Sequence, residues 1–160
     1  MFRVLFVCTE NICRSPTAEG VFRALVAANG LAGRIEADSA GTIAFHTDEP
    51  PDARAREAAL ARGIDLEDLR ARQVIAKDFA RFDLVVALDR SHLRDLTNMC
   101  PEDARHRVCM LMEFAPDTGV KAVPAPYYGG VGGFDHVYSL IEAGAAGLLA
   151  EIRDKHLQKS

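Results

Sequence analysis

Four apolar residues in unbroken succession, Val4-Leu5-Phe6-Val7, lead through a short loop into Ser15-Pro16 and then into a stripe of Ala18, Val21, Phe22, Leu25 and Val26. A short, wholly apolar run reads as a strand buried on both faces. The stripe has the helical period, which predicts a helix from Pro16 to Asn29, capped by Ser15 and stopped by Gly30. A doubly buried strand followed by a helix must sit inside a layered sheet rather than at its edge. The same unit recurs. Ile35 to Ala40 reads as a strand, and Asp52 to Arg62 as a short helix ended by Gly63. Asp83 to Ala87 carries a second continuous apolar run, Leu84-Val85-Val86-Ala87, and Ser91 to Met99 reads as a helix capped by Ser91. Val108 to Leu111 is a fourth strand, and Phe134 to about His156 a long last helix. The alternation predicts an α/β fold: one domain over residues 1–160, with a four-stranded parallel sheet and helices on both faces. Ligands of such sheets bind beyond the carboxyl ends of the strands, which is where Cys8 falls.

Composition excludes more than it assigns. The chain has 160 residues, enough for one core, and a net charge of −4, which draws neither nucleic acid nor an anionic membrane. No apolar run approaches the roughly eighteen residues of a membrane span. The first residues enter a strand without a basic and apolar leader, and the four cysteines are scattered, without zinc-type spacing. The expectation is a reduced cytoplasmic protein, a monomer or weak dimer, with no metal and no cofactor.

The loop after the first strand carries the chemistry: Cys8-Thr9-Glu10-Asn11-Ile12-Cys13-Arg14-Ser15. A loop entering a helix N-terminus turns backbone N–H groups toward one point, where the helix dipole adds positive charge. Thr9 to Ser15 would thus cradle an anion, with the Arg14 fork matching two phosphate oxygens. Cys8 would lie beneath as nucleophile, and Ser15 could donate its hydroxyl to the Cys8 sulfur. Asn11 tolerates the left-handed geometry that such a loop needs. A buried thiol beside a capping serine is the plainer alternative, and is compatible with the same residues. Cys13, five positions after Cys8, could form a reversible disulfide with it under oxidation.

These residues, continued by Pro16-Thr17-Ala18-Glu19, resemble the signature of the low-molecular-weight protein tyrosine phosphatases. The resemblance extends through Asp38-Ser39-Ala40-Gly41-Thr42, Pro50-Pro51-Asp52-Ala53-Arg54, Ala71-Arg72-Gln73, Phe82 to Asp89 and Pro124-Ala125-Pro126-Tyr127-Tyr128. It implies a hydrolase acting through a cysteinyl-phosphate on phosphotyrosine proteins or peptides, with phosphate, sulfate or vanadate as site ligands. It further implies that Ser39 supports Asn11, and that Ile12, Phe45, Tyr127 and Tyr128 wall the substrate slot. Asp52 and Asp89 match structural positions, and Asp135 falls near the start of the last helix. Ile12 stands where phosphoarginine phosphatases of this scaffold carry Thr, so an aromatic substrate is favoured. Two positions depart from the pattern. Ala125 replaces the general-acid aspartate, which predicts slow expulsion of a phenolate. Glu10 replaces a glycine, and its charge opposes a dianion, so Glu10→Gly is expected to tighten oxyanion binding. Ala125 fits either an exchange made to trap substrate or a naturally weakened, even binding-only, relative. An arsenate reductase shares the Cys-x5-Arg pattern, but Cys100 and Cys109 lack the spacing of a thiol relay.

Overall fold

The computed structural model describes residues 1–126 and 133–157. Strands β1 (Phe2–Cys8), β2 (Ile35–Gly41), β3 (Leu84–Ala87) and β4 (Val108–Met110) form one parallel sheet in the order β2-β1-β3-β4. Among the described residues the α-helices are α1 (Arg14–Ala28), α2 (Ala53–Leu60), α3 (Asp78–Arg81), α4 (Arg90–Met99) and α5 (Gly133–His156). The expected α/β sheet is therefore present. None of these helices is long and apolar enough to cross a membrane.

The two-residue period of β1 divides its side chains between two cores. Val4, Phe6 and Cys8 face the cluster built with α1 and α5, and Leu5 and Val7 face the cluster that includes Phe79 of α3 and Leu96 of α4. Phe6 meets Phe22 of α1 edge to face, with ring centroids 5.5 Å apart. Burial of each such side chain contributes about 1.5–3 kcal/mol. Both edges of β1 are paired, Val4 with Ala37 on one side and Leu84 on the other. The chain leaves β1 for β2 on one side and later reaches β3 on the other. The end of β1 is thus a topological switch point, and Cys8 is its last residue.

Three helix ends differ from expectation. α1 begins at Arg14, after Cys13, with no side-chain cap, so Ser15 lies inside the first turn and its hydroxyl is spent elsewhere. α4 is capped by Asp89 rather than Ser91, and His92 returns the bond in a capping box. α2 ends at Leu60, short of Arg62, although Asp52 caps it as placed. Gly30 ends α1 as expected: at φ 70° it donates to Ala27, while Leu31 donates to Val26. The short α3 and the 3₁₀ turns at Glu102–Arg107, Leu111–Phe114 and Pro116–Thr118 were not anticipated.

Candidate active site

The loop between β1 and α1 is held from outside by its carbonyls. Cys8 O accepts from Thr42 N at 2.9 Å, Thr9 O from Ile43 N at 3.1 Å and Ile12 O from Asp52 N at 2.8 Å. Those three bonds fix the backbone of the loop on its outer side. The approach is close: a Cβ on Gly41 would lie 2.6 Å from Thr9 O. Only glycine fits there.

Asn11 holds the loop from inside. It is buried at φ 61°, as its tolerance of that region suggested. Its Oδ1 accepts from Arg72 N at 3.0 Å, which fixes the amide, and its Nδ2 donates to Ser39 Oγ at 3.0 Å and Ser15 Oγ at 2.7 Å. Ser39 passes its own proton to Glu19 Oε1 at 2.6 Å. Burial raises the pKa of Glu19, against the bonds from Ser39 and the charge of Arg23. Ser15 Oγ accepts from Asn11 and lies 3.0 Å from Cys8 Sγ, with Ala40 O at 3.4 Å as a second acceptor for its proton. Ser15 N adds a second contact to the sulfur at 3.4 Å. The bonds between Asn11, Ser39 and Glu19 run in one direction, set by the Asn11 NH2 group, which can only donate, and by the Glu19 carboxylate, which is paired with Arg23.

Arg14 is 8% exposed, and its Nη1 is committed to Asp89 Oδ2 at 2.7 Å and Val123 O at 2.9 Å. Val123 N in turn donates to Leu88 O at 2.8 Å. Burial opposes charge on Asp89, but the Ser91 hydroxyl, His92 and Arg14 outweigh it and hold its carboxyl at about 2. His92 was missed by sequence reasoning. Its Nδ1 accepts from Asp89 N at 3.2 Å, which leaves Nε2–H to face Thr9 Oγ1 at 2.9 Å. Burial, then the charge of Arg14, lowers its pKa to about 4, so the ring is neutral near pH 7. A pattern of Asp followed three residues later by a bonding side chain, just before an apolar stripe, was the available signal.

Cys8, Ile12, Cys13, Arg14, Ala125 and Pro126 line a cleft of about 290 Å³, together with Thr9 and Glu10. A larger groove of about 640 Å³ lies between the C-terminal parts of α1 and α5, but Leu25, Leu149 and Arg153 in its wall offer no nucleophile. Glu10 turns its carboxylate to His46 Nε2 at 3.2 Å, and His46 Nδ1 bonds Glu49. Phe45 is 77% exposed, edge-on to His46, and stands outside the lining of the cleft. Tyr127 and Tyr128 lie outside the described residues. Asp52 and Asp135 pair with Arg54 and Arg62 respectively. Among the described residues no group of three His, Cys, Asp or Glu is placed to hold a metal, and no disulfide joins Cys8 to Cys13.

A strand-end cysteine bonded by a helix serine, with a braced arginine lining the same cleft, is the arrangement of the cysteine-dependent phosphate-ester hydrolases. The chain belongs to one family of these: residues 3–159 match the low molecular weight phosphotyrosine protein phosphatase family. It is 46% identical to the low molecular weight protein-tyrosine-phosphatase of Streptomyces coelicolor, over 96% of this chain and 95% of that one. Among solved structures it resembles YfkJ from Bacillus subtilis, at a TM-score of 0.92 and 39% identity, covering 98% of this chain and 97% of that one. It also resembles Vibrio vulnificus Wzb, solved in complex with benzylphosphonate, at a TM-score of 0.80 and 29% identity, covering 94% and 98%.

Proposed function

We propose that the chain is a phosphotyrosine protein phosphatase that works through a cysteinyl-phosphate on Cys8 and is slowed by Ala125. The observation that carries this reading is the set of bonds linking Glu19, Ser39, Asn11 and Ser15 to the Cys8 sulfur, which lines one cleft with Arg14. The sulfur attacks phosphorus as the aryl oxygen departs, and water then attacks phosphorus as the sulfur departs. The transition state is loose, so positioning and charge do most of the work. Backbone amides from Thr9 to Ser15 and the Arg14 guanidinium hold the equatorial oxygens, and the Ser15 hydroxyl steadies the sulfur as it leaves. Neither displacement needs a cofactor. Cys13 lines the same cleft, which suits a protective disulfide with Cys8 during oxidation.

Ile12 gives the cleft an apolar wall, which favours an aromatic leaving group over a guanidinium. The family resemblance would add Phe45, Tyr127 and Tyr128 to that wall. An arsenate relay is disfavoured by the other thiols. Cys100 packs in the cluster of α3 and α4, and Cys109 belongs to the opposite one, where burial pushes its thiol up to about 12. The reduced thiols suit a cytoplasmic setting.

Ala125 also lines the cleft, so the position of the usual acid is present without its proton. This observation favours a second reading, a phosphotyrosine reader that binds and does not release. Comparing the protein with Ala125→Asp on a phosphotyrosine peptide separates the two. The phosphatase reading expects the variant to gain about 10²-fold or more in kcat. Tight peptide binding with no turnover by either protein would establish the reader.

A further inference from the structure

We propose that His92 is a positioning residue for this cleft: its ring stands between the Thr9 hydroxyl and the Arg14 guanidinium and sets the angle at which the Arg14 fork meets phosphate. The proposal rests on the phosphatase reading and deepens it. Thr9 follows the last residue of β1 and Arg14 is the first residue of α1, and both line one cleft with Cys8. His92 reaches both of them from the first turn of α4.

The ring is 1% exposed and is held at both nitrogens. Nδ1 accepts from Asp89 N at 3.2 Å, inside the helix cap, and Nε2–H faces Thr9 Oγ1 at 2.9 Å. Thr9 is itself pinned, since its carbonyl accepts from Ile43 N at 3.1 Å. A cap needs only the first of these bonds, and an asparagine side chain could supply it. The far side of the ring is extra to the needs of the helix, and it meets the loop.

Arg14 gains from such a neighbour. Its bonds to Asp89 Oδ2 at 2.7 Å and to Val123 O at 2.9 Å both come from the same nitrogen, Nη1. Two bonds from one nitrogen fix a point and let the plane of the fork swing about it. His92 Nε2 lies 3.4 Å from Nη2, the other terminal nitrogen of the fork. With its proton on Nε2 the ring offers Nη2 no acceptor, so it acts there as a wall and leaves the hydrogens of Nη2 unspent. Burial and the charge of Arg14 keep the ring neutral near pH 7, so the wall does not repel the cation. A guanidinium matches phosphate through two parallel bonds, so its plane is best set before the anion arrives. Stabilisation of the transition-state charge falls steeply when that setting is lost.

The test separates the two ends of the ring. His92→Asn places its amide near the position of Nδ1, which keeps the cap but falls short of Thr9 and Arg14. His92→Gln places its amide near the position of Nε2 and gives up the cap. Vanadate affinity, kcat/KM on nitrophenyl phosphate and urea unfolding are measured at pH 7 for the parent and both variants. His92→Asn is expected to be the more stable variant, yet to lose about tenfold or more in vanadate affinity and in kcat/KM. His92→Gln is expected to be the less stable, yet to stay within about threefold of the parent on both counts. A histidine that only caps its helix predicts that function follows stability, and that order overturns the proposal. Parent-like vanadate affinity in His92→Asn overturns it too. Thr9→Val gives a check that needs no Gln variant. The ring is aligned by Thr9, so His92→Asn costs several times less in a Thr9→Val background than in the parent, and equal costs overturn the proposal. The phosphatase reading fails separately: a parent that releases no nitrophenol and forms no cysteinyl-phosphate refutes that reading, while vanadate affinity still decides the role of His92.

Discussion

Acid should weaken this fold through one imidazole. His92 is 1% exposed, and its pKa falls from 6.5 to about 4 because burial, then the charge of Arg14, disfavours the imidazolium. The unfolded chain takes up this proton near 6.5, whereas the folded chain refuses it until about 4. Between those values the unfolded state binds more protons, so stability rises with pH and is lost as pH falls. The whole shift corresponds to about 3 kcal/mol, of which about 2.5 kcal/mol is gone by pH 4.5. Urea unfolding of the parent and His92→Asn at pH 7 and pH 4.5 reads this term. Groups that do not touch His92 cancel in the comparison, and Asp89, held at about 2, stays ionised in the folded parent across this interval. Asparagine can keep a bond within the helix cap while removing the titration. The parent should lose about 2 kcal/mol more than the variant over that interval. Equal losses in the two proteins would refute the argument, and would mean that His92 is charged in the folded state.

Two further outcomes follow from the loop. Ser15→Ala removes the hydroxyl 3.0 Å from Cys8 Sγ. A bond to a charged partner is worth about 1.5–3 kcal/mol, so breakdown of the cysteinyl-phosphate should slow by about 10- to 100-fold in single-turnover rapid-quench measurements. Gly41→Ala places a methyl 2.6 Å from Thr9 O and 3.0 Å from the Glu10 carbonyl carbon. It should cost about 1–3 kcal/mol in thermal unfolding and weaken vanadate binding, and unchanged values of both would show that the close approach is not needed.

The sheet was legible because its middle strands announce themselves. Leu5, Val7, Val85 and Ala87 belong to one core, and Val4, Phe6 and Val86 to the other, so neither β1 nor β3 has a polar face to interrupt the run. The loop after β1 was legible for a different reason, since its residues are neighbours in sequence between a strand and a helix. Contacts between distant residues were not. Thr9 and His92 are separated by 83 positions, and a lone histidine on a predicted helix carries no mark of the threonine it meets. His46, the partner of Glu10, sits in a loop with no periodicity to place it. The two cap errors share a cause. Ser15 and Ser91 are good caps by type, but the first is recruited by Asn11 and Cys8, and the second yields to an aspartate two residues earlier. The four-residue α3 is too short to show a period at all.

The bond from Arg14 to Val123, with the one from Val123 to Leu88, ties the segment bearing position 125 to the end of β3. Both bonds take main-chain atoms of Val123, so the tie does not depend on which side chain stands at 125. On the proposed reading, the loop that holds the phosphate and the slot at position 125 are separate parts joined by these two bonds. Dwell time on a phosphorylated target can change by orders of magnitude through one side chain while affinity stays where the loop sets it. On such a scaffold, capture and release are independently adjustable.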